Sequence, residues 1–233
     1  MRILAIESSA VTASVAILED DTLFSEYTIN HKMTHSQTLL PMIDEIFSMV
    51  QLKPDDVDVI AVSKGPGSFT GLRIGAATGK GIALALDKKM VAVPTLAAMA
   101  YNLYGDSRYI CPVMDARRKH LYSGIYTFDG DRLITVRDVN LESYDELAEE
   151  LAGLDGQVVL VGDGVDVAGD VLKEQLGDKC VLAPAHIKTQ RAGSVALLAK
   201  QMADNGEYTD ADELKPDYLR PSQAEREKAQ HES

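Results

Sequence analysis

Four stretches of this chain carry residue types and spacings from which chemistry could be built. The first is Gly65-Pro66-Gly67-Ser68-Phe69-Thr70-Gly71. Glycines in such a loop permit positive φ and close backbone approach, and a helix starting beyond it would offer free N–H groups to an anion. It is not a Walker A loop. Gly75-Ala76-Ala77-Thr78-Gly79-Lys80 is one residue short of that spacing and runs into Gly81 where a Ser or Thr is needed. A tight structural turn and an anion cradle both fit the loop, and the turn is the commoner outcome for these residues.

The second stretch is the glycine stripe, Gly71, Gly75 and Gly79 at i, i+4 and i+8. Each glycine costs up to about 1 kcal/mol relative to Ala in a helix interior, so three on one face require another backbone very close by. Spacing leaves open whether that neighbour belongs to this chain or to a partner. The third is His31 and His35, four apart, close to metal-ligand spacing on a helix. Lys32 intervenes and no acidic residue follows at a ligand distance, so solvated or capping histidines are the favoured reading. The fourth is Met114-Asp115-Ala116-Arg117-Arg118-Lys119-His120, three cations and an imidazole in a turn between strands. It reads either as a solvated hairpin tip or as a contact for an anion. No Ser/His/Asp set is recognisable by spacing, and Cys111 and Cys180 form no CxxC, which excludes a thiolate zinc site and a disulfide scaffold.

The elements that position these residues follow from hydrophobic periodicity. Arg2–Ile6, Thr12–Leu18 and Thr22–Ile29 read as three strands joined by tight turns. Leu39, Met42, Ile43, Ile46, Phe47 and Val50 then recur at helical spacing, with the regular helix expected to begin near Pro41. Val57–Ser63 reads as a buried strand, Leu72–Leu86 as a helix with Ser68 or Thr70 as N-cap, Met90–Pro94 as a strand and Thr95–Tyr104 as a helix. In the second half, Tyr109–Met114 reads as a strand, and Leu121–Phe128 with Leu133–Arg137 as a hairpin. Helix Tyr144–Ala152, strand Gln157–Val161 and helices Val167–Leu176 and Ala192–Asn205 follow. The second half thus echoes the first, predicting an α/β fold made of a duplicated unit with a cleft between lobes 1–104 and 105–220. LKPDYLRP is expected to lie over the body, and 221–233 to form a disordered tail.

A length of 233 residues with 45 % hydrophobic and 25 % charged composition is that of an ordinary globular chain. The net charge of −13, of which −10 falls after residue 100, makes unaided nucleic-acid binding unfavourable. The amino terminus runs directly into a strand pattern without a signal-peptide core, and the apolar run GIALALDKKMVAV is broken by charges. A cytoplasmic location with no membrane partner is the expectation.

The strings ILAIESS, ASVAIL, THSQTLLP, SKGPGSFTGLRIG, VPTLAAMA, MDARRKHLY and LKPDYLR, in order from residue 3 to residue 220, closely resemble the bacterial TsaB (YeaZ) family. The resemblance implies an actin/Hsp70-like (ASKHA) fold with two related lobes of mixed sheet flanked by helices. It implies a non-catalytic partner of TsaD, required with the ATPase TsaE for transfer of a threonylcarbamoyl group from threonylcarbamoyl-AMP to adenosine 37 of tRNAs reading ANN codons. TsaD carries a VNHMEGH segment whose two histidines bind metal. The matching segment here is Val93–Met99, with Thr95 and Met99 at the histidine positions, poor substitutes around a metal ion. No metal and no catalytic residue of its own are therefore expected.

The first phosphate loop of actin-like ATPases corresponds to Glu7-Ser8-Ser9 and the second to Asp115-Ala116-Arg117-Arg118, whose side chains crowd a backbone cradle. Residual nucleotide or anion contacts would fall to Glu7, Ser8, Ser9, Arg117 and Arg118. No cofactor is expected, with ATP or ADP only at a joint site with TsaD. The resemblance places the interface with TsaD, and with a second copy when alone, on Leu39, Met42, Ile43, Ile46, Gly71, Ile74, Gly75, Thr78, Gly79 and Ile82, the glycine stripe facing outward. tRNA would be met only through the complex. An actin-like ATPase or kinase, and a glycoprotease-type metallo-endopeptidase, are the competing activities. The first needs an open phosphate turn and the second the paired histidines.

Overall fold

A computed structural model describes residues 1–219, and the tail expected at 221–233 lies outside the described residues. Strands β1 (Arg2–Glu7), β2 (Thr12–Glu19) and β3 (Thr22–Asn30) form an antiparallel meander, followed by helix α1 (His35–Met49). Then come β4 (Val59–Gly65), α2 (Phe69–Leu86), β5 (Lys89–Pro94) and α3 (Thr95–Ala100). The second half repeats the plan with β6 (Tyr109–Arg117), β7 (His120–Asp129), β8 (Arg132–Ser143) and α4 (Tyr144–Gly153). It continues with β9 (Val158–Val161), α5 (Val165–Leu176), β10 (Cys180–Leu182), α6 (Ala185–Lys188) and α7 (Ala192–Asp204). The sheet orders are β3-β2-β1-β4-β5 and, read in the matching sense, β8-β7-β6-β9-β10. In each, the first two pairings are antiparallel and the last two parallel. The duplication is therefore one of topology, strand for strand.

Several elements differ from the sequence reading: β8 runs on from Arg137 to Ser143, α3 ends at Ala100 rather than Tyr104, and α6 and β10 are additional. β10, only three residues long, carries no periodic signal of its own, yet it takes the place that β5 occupies in the first sheet. Helix α1 begins at His35 rather than near Pro41, which sits inside it. Pro41 is exposed on the outer side of the helix, where its ring and missing N–H are tolerated best.

Packing exchanges one helix between the lobes. On one face of the first sheet, Leu4, Ile6, Val15, Ile17, Ile60 and Val62 meet α1 and α2. On its other face, Ile3, Ala5, Ala16, Leu18, Ala61 and Val93 meet α7, whose Ala192, Val195, Ala196, Ala199 and Ala203 form a narrow stripe of small side chains. Helix α3, conversely, packs Leu96, Met99 and Ala100 against Ile110, Met114 and Val161 of the second sheet. A lobe boundary between 104 and 105 separates the two sheets but not the layers that cover them. Leu214 is buried in the core of the first lobe, so the strap after α7 also belongs there. Among the described residues no helix is long and apolar enough to cross a membrane.

Candidate functional site

The glycine-rich loop is built around the turn that ends β1. Ser68 N–H donates to Ser9 O at 2.6 Å, and Ser68 Oγ accepts from Gly71 N at 3.3 Å, which makes it the N-cap of α2. Ser8 Oγ donates to the carbonyl of Gly71 at 2.9 Å. Glu7 is fully buried beneath this turn, where Oε1 accepts from Ser9 N–H at 2.6 Å and Oε2 accepts from the Ser63 hydroxyl. Burial raises the Glu7 pKa, opposed by the hydrogen bonds from Ser63 and Ser9. His35 is buried rather than solvated, its Nε2 lying 2.7 Å from Ala10 O, while His31 is exposed. Ser8, Ser68 and Glu7 are thus engaged in holding α2 and β4 onto the β1 turn, while Ser9 Oγ and His35 Nδ1 are buried without a hydrogen-bond partner.

The glycine stripe faces the chain's own sheet. A Cβ on Gly71 would lie 2.1 Å from Ser8 O, one on Gly75 2.2 Å from Ser8 Oγ, and one on Gly79 2.5 Å from Val62 Cγ1. This corrects the expectation that the stripe is an outward seam. What it accommodates is the β1 turn at Gly71 and Gly75 and the side chains of Val62, Ile60 and Met90 at Gly79, not a partner helix. Leu39, Met42, Ile43 and Ile46 are likewise in the core of the first lobe, and Ile74, Thr78 and Ile82 are half-buried at its margin. The outward apolar residues of the two helices are others: Leu40 and Met49 on α1, the latter 74 % exposed, and Leu84 on α2, 62 % exposed.

Between the lobes lies a cleft of about 630 Å3. Ser9, Gly67 and Phe69 line it from the first lobe, and Asp115, Arg117, Tyr122 and Asp163 from the second, with Asp217 and Tyr218 of the strap at its edge. Of the residues assigned to residual anion contacts, Ser9 and Arg117 reach the cleft. Glu7 and Ser8 are turned into the interior, and Arg118 is exposed beyond the cleft's lining. Asp163 Oδ1 accepts from Gln190 Nε2 at 2.6 Å, and burial raises its pKa. Arg117 Nη1 pairs with Asp115 Oδ2 at 3.0 Å. The Phe69 and Tyr218 rings lie tilted by 36° with centroids 4.6 Å apart, and the Arg73 guanidinium lies 3.9 Å over Phe69. Asp115 on the lining is paired with Arg117, Asp166 with Lys188 and Asp217 with Lys64, so among the described lining residues no cation is left unpaired for a phosphate chain.

Thr95 and Met99 sit where α3 leaves β5. Thr95 is completely buried, and its Oγ1 accepts from Gly65 N–H at 3.2 Å. Met99 lies in the apolar layer between α3 and the second sheet, its Sδ near Gly162. Among the described residues no group of His, Cys, Asp and Glu side chains is arranged to hold a metal ion. Cys111 and Cys180 are free and buried, and burial pushes both thiols up.

Comparison with known proteins places this geometry. The family model for TsaD, tRNA N6-adenosine threonylcarbamoyltransferase, matches residues 22–228. The tRNA threonylcarbamoyladenosine biosynthesis protein TsaB of Bacillus subtilis is 32 % identical over 228 residues, 97 % of this chain and 96 % of that protein. TsaB of Escherichia coli is 32 % identical over 227 residues, 94 % of this chain and 95 % of that protein. The solved structure of YeaZ from Pseudomonas aeruginosa superposes with a TM-score of 0.80 at 26 % identity, covering 94 % of this chain and 99 % of that one. A dehydratase component A from Acidaminococcus fermentans, at TM-score 0.53 and 12 % identity over 88 % of this chain and 99 % of that one, shares the fold alone. The fold is the two-lobed α/β arrangement of the actin/Hsp70-like (ASKHA) proteins. With near end-to-end similarity to TsaB proteins and the same two lobes as YeaZ, the chain belongs to the TsaB (YeaZ) family, whose role is in tRNA threonylcarbamoyladenosine biosynthesis.

Proposed function

We propose that this chain is the non-catalytic partner of a TsaD-type transferase. Together with a TsaE-type ATPase it enables transfer of the threonylcarbamoyl group from threonylcarbamoyl-AMP to adenosine 37 of tRNAs reading ANN codons, in the cytoplasm. The observation that carries this reading is the fate of Thr95. Where the resemblance to TsaD puts a metal-binding histidine, a fully buried hydroxyl instead accepts a hydrogen bond from Gly65 and fastens the β4 loop to α3. Met99, at the second such position, is apolar packing. The residues that would orient an adenylate have become scaffold, and a cleft lining that leaves no cation unpaired among the described residues argues in the same direction against a nucleotide held by this chain alone. ATP or ADP then belongs at a joint site with the TsaD-type subunit.

The outward apolar side chains of α1 and α2, Leu40, Met49 and Leu84, are the docking candidates that remain once the stripe and core residues are withdrawn. They would serve the TsaD-type subunit in the complex and a second copy when the chain is alone. Reconstitution tests the role directly. With a TsaD-type subunit, a TsaE-type ATPase, the adenylate synthase, tRNA, ATP, threonine and bicarbonate, modified tRNA is expected only when this chain is added. Equal product in its absence, or product from this chain without the TsaD-type subunit, refutes the role. Metal analysis of the purified chain is expected to give well under one equivalent.

A further inference from the structure

The hairpin joining β6 to β7 is made of residues that such a turn disfavours. Arg117 pairs with His120 across the strands, leaving Arg118 and Lys119 as a two-residue loop with φ of +57° and +58°. Two positive φ values define the type I′ turn, in which Asn-Gly is the preferred filling because a Cβ is strained there. Arg117, at a register shift in β6, has φ of +68° as well, so three consecutive side-chain-bearing cations occupy the left-handed region. The bend is buttressed from beneath: Asp115 Oδ1 accepts from Arg117 N–H at 2.8 Å, and Asp163 Oδ2 accepts from Asp115 N–H at 3.4 Å. Arg117 is committed to Asp115, but among the described residues no ion pair engages Arg118 or Lys119, and both are exposed. Both cations are solvated and free to meet an anion, and strained backbone that the surroundings over-determine collects at working sites. The total charge does not silence them. At physiological salt the field is screened over about 8 Å, so a phosphate touching the tip responds to the tip.

We propose that the Arg118-Lys119 tip is where this chain touches the phosphate backbone of the tRNA when it sits in the transferase complex. The inference rests on the accessory role proposed above. It asks for two phosphate contacts, which position RNA without reading its sequence and are too few to bind tRNA in isolation.

The turn itself supplies the test. Arg118→Asn combined with Lys119→Gly removes both charges and installs the favoured type I′ residues. The variant is expected to melt a few degrees higher than the wild type while weakening tRNA binding by the assembled complex. At 0.1 M salt the loss expected is about tenfold, and the slope of log K against log salt should become shallower by about 1 to 2. Arg118→Gln with Lys119→Gln, which leaves the turn's backbone demands as they are, must give the same change of slope. Unchanged affinity and slope in both variants overturn the proposal. So does loss of the TsaD-type subunit in the absence of tRNA, since that assigns the tip to an acidic protein surface. Wild-type reconstitution without product would sink the accessory role itself, a separate result from either slope.

Discussion

Glycine-to-alanine exchange along α2 separates close packing from helix propensity within one element. Gly71 and Gly81 lie in the same helix, and each exchange favours that helix by up to about 1 kcal/mol. Their surroundings differ completely. A Cβ at Gly71 meets the carbonyl oxygen of Ser8 at 2.1 Å, whereas one at Gly81 meets nothing within 4 Å. The Ser8 oxygen is backbone, and Ser8 is tied to the same turn of α2 by its hydroxyl, 2.9 Å from Gly71 O, so it has no freedom to retreat. Relief requires α2 to lift away from β1 by about an ångström. Overpacking of this kind costs about 1–3 kcal/mol, which exceeds the helix gain. The net loss is up to about 2 kcal/mol, so Gly71→Ala is expected to lower the melting temperature by up to about 8 °C and Gly81→Ala to raise it by up to about 4 °C, at roughly 2–4 °C per kcal/mol for a chain of this length. Differential scanning calorimetry on the isolated chain reads both. If Gly71→Ala melts at or above the wild type, the inward stripe is wrong and an outward seam is restored. An equal loss from Gly81→Ala would show that tightness at Ser8 is not the cause.

Three other perturbations address the frame of the site. The buried Glu7 carboxyl has a folded pKa raised above its ordinary 4.5, so its contribution to stability is full below that value and is lost as pH climbs through the raised one. Glu7→Gln should flatten the fall in unfolding free energy above about pH 4.5, and an unchanged slope in the variant would refute the assignment. Thr95→Val strands the Gly65 N–H without its acceptor and should cost about 1–3 kcal/mol in urea unfolding, with Thr95→Ser recovering most of it. No loss in the valine variant would remove the hydroxyl from its structural role. Asn102 Nδ2 donates to the carbonyls of Ile187 and Thr189, both at 2.8 Å, while its Oδ1 accepts from Ser194 Oγ at 2.6 Å. Asn102→Ala should speed amide exchange across 187–194, where the chain crosses back to the first lobe, and exchange at the wild-type rate there would show that the crossing is held by other contacts.

The amino-acid sequence by itself determined most of the elements and their order. Alternation and helical spacing are local consequences of which face each residue buries, so β1 to β5 with α1 and α2 are legible between Arg2 and Pro94, as is Ser68 as a cap. The motifs carried the family as well. What only the tertiary structure decided is direction. A glycine stripe records that something comes close but not what it is, and the answer at Gly71, the Ser8 turn, lies 63 residues earlier. The same holds for α7, whose alanine stripe marks a close-packed face without saying which sheet it covers, and for β10, placed by a parallel pairing with β9 that leaves no local trace. His35 is the smallest case. Its neighbours in sequence are loop-like, and it is buried only because Ala10 O and the first turn of α2 converge on it. Periodicity is set by each segment's own burial, whereas the identity of the opposing surface is set by contacts between residues far apart along the chain.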